Sequence, residues 1–229
     1  MLSNFFKLLK TLFILSVSVL FSCASLNSYP VASTYFIAFE ALKDAVLGNG
    51  DDEITKDLVE RIPYASAKLK IGRSKPGLVI LEGIKDKKFT WVSSDEVFIT
   101  VENGRIIRTV GLFNNVTAYR SPNQSFKKFI ENDNPIVDYF VYYSYDKPFL
   151  SELKIQVNLI NKGLEKVSIL GEEKSLVLIE EHISNEYIGW KEKNQYWLDP
   201  NDFFVWKSIQ HISPKLPQFS LEVTKKPAI

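Results

Sequence analysis

One cysteine, one methionine and two histidines are all that the 229 residues hold of the softer ligand side chains. A lone thiol, Cys23, excludes an internal disulfide, and zinc sites, which draw on cysteine and histidine, have little to draw on. His182 and His211 fall in separate β-rich runs, so structural or surface roles are expected of them, with no metal and no cofactor. The chain also lacks a Gly-rich phosphate loop, an H-E-x-x-H helix, a C-x-x-C pair and a G-x-S-x-G elbow. Lys plus Arg number 28 against 27 Asp plus Glu, so there is no basic excess of the kind that nucleic acid demands. The apolar run Leu12 to Phe21, interrupted only by Ser16 and Ser18, falls short of the roughly 20 residues that span a bilayer. No repeat, low-complexity tract or internal linker interrupts Ala65 to Val223.

That run has the length of a signal-peptide core, and Lys7 and Lys10 before it supply the positive flank. Leu20-Phe21-Ser22-Cys23 then resembles a bacterial lipobox, in which cleavage precedes a cysteine that becomes acylated. The competing reading is an ordinary secretory signal with an incidental cysteine. With no second thiol to pair with, Cys23 is better explained as an anchor, since several acyl chains hold a protein to a membrane where one does so only marginally. Ala24, in place of the Asp that retains lipoproteins in the inner membrane of enteric bacteria, favours the outer membrane. The expected organisation is a signal peptide over 1–22, a lipidated tether over 23–33 and a single domain over 34–229. The ten residues after Cys23, Ala24 to Ser33, reach at most about 35 Å. Without residues 1–22 the chain keeps 207 residues, 26 of them basic and 27 acidic, ample for a core. The cluster Lys85 to Lys88 reads as a solvated turn, not as a lipid-binding patch.

Thr34 to Leu47 places Tyr35, Ala38, Phe39, Leu42, Ala45 and Val46 on one helical face, and a second helix is expected from Thr55 to Arg61, stopped by Pro63. Beyond Pro63 come short runs rich in Val, Ile, Tyr, Phe and Trp: AKLKIG, LVILEG, KFTWVS, VFITV, RIIRTVGL, VDYFVYYSY, ELKIQVNLI, EKVSIL, SLVLIEEHI, YIGWKE, QYWLD, FFVWKSIQHI and FSLEV. Asn103-Gly104 is the strongest turn signal, because a two-residue type I′ turn needs positive φ at both central positions. Further hairpins are expected at Asn161-Lys162-Gly163, Gly171-Glu172-Glu173 and Asp199-Pro200-Asn201-Asp202. The fold class is therefore mainly β: an antiparallel meander closed or nearly closed into a barrel, with one or two N-terminal helices. Charges on both parities, as in ELKIQVNLI, speak against a transmembrane barrel, whose strands alternate cleanly.

Candidate chemistry is sparse. Glu180 and Glu181 are adjacent on a strand and point to opposite faces, so they cannot flank one glycosidic bond. Asp51-Asp52-Glu53 is the other acidic group. The aromatic-rich stretch 194–214 (NQYWLDPNDFFVWKSIQHISP) groups Phe204, Trp206, Ser208, Gln210 and Ile212 on one strand face, and Phe203, Val205, Lys207, Ile209 and His211 on the other. Trp91, Trp190, Trp197 and Trp206 all fall in strand runs. They can pack a barrel, as aromatics usually do, or leave a face for a sugar ring. Residues suited to glycan contact are Tyr196, Trp197, Trp206 and Gln210, with Arg105 and Arg108 available for an acidic sugar. Arg105 to Thr109 can equally be a solvent-facing stripe.

Three stretches behind the lipobox, ERIPYASAKLKIG, TWVSSDEVFITVENGRIIRTVGL and NQYWLDPNDFFVWKSIQHISPKLP, together resemble the YjbF/GfcB family of group 4 capsule and exopolysaccharide lipoproteins. Ile62-Pro63-Tyr64-Ala65-Ser66, Asn103-Gly104-Arg105-Ile106 and Val205-Trp206-x-Ser208-x-Gln210 carry the resemblance most specifically. The segment Asn201-Asp202-Phe203 departs from the family's turn, which has a glycine before the aromatic. The resemblance implies an outer-membrane lipoprotein, with palmitate among its acyl groups and its domain in the periplasm, and no catalytic residues. The function expected is a non-enzymatic accessory role in capsule or exopolysaccharide assembly or export, with polysaccharide and secretion-apparatus proteins as partners. Two alternatives stand beside it. A carrier for a lipid or other apolar ligand requires a continuous apolar cavity of several hundred Å³, and a glycan-cleaving enzyme requires two convergent carboxyls.

Overall fold

The computed structural model describes residues 54–122, 125–132 and 137–228; the leader, Cys23, the tether and the helix expected at Thr34 to Leu47 lie outside them. The chain divides into two units, 1–34 and 35–229, and all described residues belong to the second. Helix α1 (Lys56–Arg61) forms where its signals stand: the Thr55 hydroxyl accepts from the Leu58 N–H, and Ile62, ahead of Pro63, is already extended. Leu58 and Ile62 pack on Leu78, Ile80 and Val92.

Twelve strands follow: β1 (Ser66–Ile71), β2 (Gly77–Lys85), β3 (Lys88–Ser93), β4 (Phe98–Glu102), β5 (Arg105–Val110), β6 (Val116–Arg120), β7 (Asp138–Asp146), β8 (Phe149–Ile169), β9 (Glu172–Asn185), β10 (Trp190–Leu198), β11 (Val205–Gln210) and β12 (Phe219–Lys225). They form one antiparallel sheet in the order β5-β4-β3-β2-β1-β12-β11-β10-β9-β8-β7-β6. The first and last strands pair in its middle, Ala67 opposite Val223 and Leu69 opposite Leu221. The sheet curls until its margins β5 and β6 meet. There the backbone ladder gives way to side chains: the Val116 N–H donates to the Thr109 hydroxyl at 2.9 Å, and the Leu112 N–H just past β5 donates to the Asn115 side-chain oxygen at 3.0 Å. The expected nearly closed barrel is the observed one.

Sharp two-residue turns bring successive strands together. Both central residues have positive φ at Asp86-Lys87 (51°, 63°), Asn103-Gly104 (49°, 81°) and Leu170-Gly171 (48°, 79°). Asn161-Lys162-Gly163 is not the hairpin expected. β8 runs straight through it, with the register shifting between Asn161 and Gly163 while the Gly163 N–H donates to the Asn161 side chain. A glycine at φ 80° serves a bulge as well as a turn, and here it bends a 21-residue strand. Beyond the bend the β8–β9 hairpin folds over its neighbours, packing Val167, Ile169, Leu176 and Leu178 on Trp197, Trp206 and Ile209. Its tip touches α1 through the ion pair of Lys56 and Glu172.

Two elements had no sequence expectation: β6, and helix α2 (Phe126–Glu131), capped by the Ser125 hydroxyl on the Lys128 N–H. Phe126 and Phe129 of α2 enter the same core as Val79, Trp91, Ile99, Ile155, Ile179 and Phe219, so the β6–β7 connection plugs the barrel. The YIGWKE run begins as a 3₁₀ turn (Glu186–Ile188), and its strand starts only at Trp190. On the opposite face of the sheet Glu222 meets Lys68 at 2.8 Å and Lys207 at 3.5 Å, charges that a lipid-facing band has no place for. No helix among the described residues is long and apolar enough to cross a membrane.

Candidate functional site

Strands β10 and β11 set the site. Tyr196 faces Ser208 and Trp197 faces Lys207, but Leu198 then faces Val205, which leaves Trp206 bulged out of the ladder. The bulge overturns the alternation expected of this stretch. Ser208 and Gln210 point inward and are buried, Val205 lines the interior, and Trp206 turns outward beside Trp197.

The inward residues build a buried polar network. The Arg105 Nε donates to Glu181 Oε1 at 2.8 Å, and its Nη2 donates to the Tyr139 hydroxyl at 3.0 Å. Glu181 Oε2 accepts from the Tyr196 hydroxyl at 2.9 Å and from Asn194 Nδ2 at 3.1 Å. Gln210 extends the network to the backbone of the Asn103-Gly104 turn: its Oε1 accepts from the Ile106 N–H, and its Nε2 donates to the Gly104 carbonyl and the Ser208 hydroxyl. The guanidinium lies 4.0 Å from the Phe126 ring centroid, so the plug helix covers it. Burial by itself disfavours the guanidinium's charge, but attraction to Glu181 and to the tyrosine oxygens outweighs that, and Arg105 is held ionised above its ordinary range. Burial pushes the phenols of Tyr119, Tyr139, Tyr143 and Tyr196 upward.

Of the six residues singled out for glycan contact, Arg105 (3% exposed), Tyr196 (1%) and Gln210 (1%) are thus joined in one network inside the barrel, with Glu181 bridging Arg105 to Tyr196. Trp197 lies under the β8–β9 hairpin with its indole N–H donating to Glu165, Trp206 is half-buried, and Arg108 is exposed. The geometry brings the first three together as a structural unit and leaves Trp206 and Arg108 accessible. Glu181 had been set aside because Glu180 points the other way, and that parity is observed: Glu180 meets Lys193 instead. Glu181 shares its strand phase with Ile179 and Ile183, and a carboxylate in the apolar phase of a strand is the signal that it has a buried partner.

Two concavities flank this unit. The first, about 420 Å³, opens at the barrel end formed by the β2–β3, β4–β5 and β10–β11 turns. Phe89, Trp91, Val101, Leu221 and Val223 wall it, and Lys87 and Asp202 stand among its lining residues. Gly104 approaches Val205 there so closely that an added Cβ would lie 2.4 Å from a Val205 methyl. The barrel is accordingly filled at its centre and hollow at one mouth. The second, about 270 Å³, is a cleft between α1, the tip of the β8–β9 hairpin and β12, lined by Trp206, Lys174, Lys225, Glu60 and Glu172. Lys174 Nζ stands 4.3 Å from the Trp206 ring centroid. Glu172 is held below the usual carboxylate range by its hydrogen bond and ion pair with Lys56. No cluster of three metal-ligating side chains occurs among the described residues.

Residues 39–224, from before α1 into β12, match the family described as group 4 capsule polysaccharide lipoprotein GfcB, YjbF. The chain belongs to the YjbF family. Curated relatives are lipoproteins of Escherichia coli (strain K12) named as uncharacterized. GfcB is 22% identical over 165 residues, covering 70% of this chain and 75% of the relative, and YjbF is 26% identical over 70 residues, covering 31% and 33%. The crystal structure of the hypothetical lipoprotein YmcC from Escherichia coli (K12) superposes with a TM-score of 0.71 over 90% of this chain and all of its own, at 17% identity. At that identity the likeness concerns the fold, and the YmcC barrel is the fold of this YjbF-family chain.

Proposed function

We propose that the protein is a non-enzymatic accessory factor in capsule or exopolysaccharide assembly or export, held to the outer membrane by acyl chains on Cys23 with its barrel in the periplasm. Family membership supports the polysaccharide link. The observation that carries the mode of action is Trp206, which the β11 bulge turns into the cleft beside Lys174, Lys225, Glu60 and Glu172. An indole wall takes the apolar face of a sugar, ammonium groups take its carboxylates, and carboxylates accept from its hydroxyls. Arg108 is the second accessible residue of the same set and its exposed cation, whereas Arg105, Tyr196 and Gln210 serve the cleft by fixing the strands that bear it.

Support for a binding role over cleavage comes from the carboxyls. Glu181 is committed to Arg105, and the mouth pocket holds a single carboxylate, Asp202, which is paired with Lys226. In the cleft Glu172 is shifted downward, opposite to what a general acid needs. The test is a deletion strain complemented with variants and assayed for the amount and length of surface polysaccharide. Deletion, Trp206→Ala and Lys174→Glu should each reduce the polysaccharide, while Glu60→Gln and Glu172→Gln leave its length unchanged. Full polysaccharide in the deletion strain would end this reading, and a length change with the Glu→Gln variants would favour cleavage.

A further inference from the structure

We propose that the mouth pocket is a binding site for the aliphatic chain of an anionic amphiphile, a property separate from the sugar contact assigned to the Trp206 cleft. The walls are carbon: Phe89, Trp91 and Val101 from one side of the barrel, Leu221 and Val223 from the other, and Phe204 from the β10–β11 loop. A volume of about 420 Å³ lies within the range of small-molecule sites. The one buried polar side chain in the lining, Ser208, already accepts a hydrogen bond from Gln210 at 2.8 Å. A sugar inserted here would bury hydroxyls against hydrocarbon with few partners, whereas an alkyl chain loses nothing.

The charges stand at the rim. Asp202 is neutralised by Lys226, while Lys87, at the exposed tip of the β2–β3 turn, has no ion pair among the described residues. A chain lying in the pocket would thus leave its head beside a free ammonium, which selects an anionic head. β1 begins and β12 ends at the same end of the barrel as the mouth, with Val223 of the pocket wall paired to Ala67. The described chain therefore enters its first strand at the open end of the barrel. A fatty acyl carboxylate and a prenyl phosphate share the required chemistry, a single aliphatic tail under an anionic head.

The test uses the full-length protein in lipid nanodiscs and the fluorescence of Trp91, the tryptophan that lines this pocket. A brominated fatty acid should quench it, with the quenching lost in Trp91→Phe. Unbrominated decanoate, dodecanoate and tetradecanoate should displace the probe, each added methylene tightening binding about fourfold until the pocket is full. Farnesyl phosphate as competitor distinguishes the two sources: displacement by it at lower concentration than dodecanoate identifies prenyl phosphates, and the reverse order identifies fatty acyl chains. Val223→Phe should fill the pocket and abolish binding, and Lys87→Glu, on an exposed turn that leaves the fold intact, should weaken it several-fold. Quenching that survives Trp91→Phe, displacement independent of chain length, or no displacement by either competitor overturns the proposal.

Discussion

Removing one partner of the Arg105–Glu181 pair should cost far more than removing both. The two groups are 3% and 4% exposed and 2.8 Å apart, so neither charge can recover its hydration if the other leaves. Arg105→Met strands the Glu181 carboxylate with three neutral donors, from Tyr139, Tyr196 and Asn194, and Glu181→Leu strands a guanidinium stacked on Phe126. Breaking a buried pair from one side typically costs about 3–5 kcal/mol, and the polar neighbours here place both single variants near the lower end of that range. The double variant removes both charges and leaves only unsatisfied hydroxyl and amide groups, at about 1–3 kcal/mol in total. The singles should therefore sum to about 6 kcal/mol, well above the double, with a coupling of about 3–5 kcal/mol, at or above the upper end of what neighbouring residues show. Equilibrium unfolding in urea, read as shifts in midpoint at constant slope, measures all four corners of the cycle. Singles that each cost less than about 1 kcal/mol and add to the double would refute the reasoning, since the pair would then be solvated in some way that its burial does not reveal.

Gly104→Ala should destabilise by about 2–4 kcal/mol, combining a non-glycine residue at φ 81° with a Cβ pressed on Val205, and Val205→Ala in the same chain should return the steric part; thermal melts of both variants beside the parent and Val205→Ala alone decide. The Asp146 carboxyl is held low by hydrogen bonds from Asn115, so the stability it adds is complete above its ordinary value of 3.8 and is lost as pH falls through the folded-state value. Asp146→Asn should accordingly show a smaller drop in melting temperature between pH 5 and about 3 than the parent chain. Burial raises the phenols of Tyr119, Tyr139, Tyr143 and Tyr196 above the ordinary value of 10, so stability is unaffected below that pH and falls as pH rises through the folded-state values. Absorbance titration should find these four ionising together with unfolding, and four independent ionisations near 10 would contradict their burial. Cys23→Ala should release the protein into the soluble periplasmic fraction or leave it unprocessed, and a mature form that stays with the membrane would show that acylation is not its anchor.

Much of the barrel was written in local signals. Thr55 and Pro63 bounded α1, and Asn103-Gly104 placed a turn whose φ values are those such a dipeptide permits. Where those signals serve two structures, the sequence could not choose between them. Asn161-Lys162-Gly163 suits a hairpin and a bulge equally, and the choice was made by pairing of distant residues along β8 and β9. β6 was hidden because most of VTAYR is solvent-accessible at a margin, and α2 because six residues are too few for helical periodicity to register. The site was legible in composition and not in direction. Arg105, Tyr196, Gln210 and Trp206 were all singled out, yet the first three are buried, and a single bulged position in β11 parts Trp206 from the inward face that Gln210 keeps. Glu181, the acceptor on which the interior network converges, was weighed only as half of a catalytic pair that strand parity forbids, and its phase with Ile179 and Ile183 was the signal of a buried structural role.

The join between β5 and β6 makes the barrel a cuff and not a tube. Eleven of its strand junctions are stitched by main chain, while the remaining one is fastened by a threonine hydroxyl that meets the Val116 N–H and the Asn115 side-chain oxygen. Its girth is therefore set by short side chains at residues 109 to 116 and not by the strand count. A longer β5–β6 connection could let the cuff out, and a bulkier residue in place of Thr109 could unbutton it, without a single strand pair being rewoven.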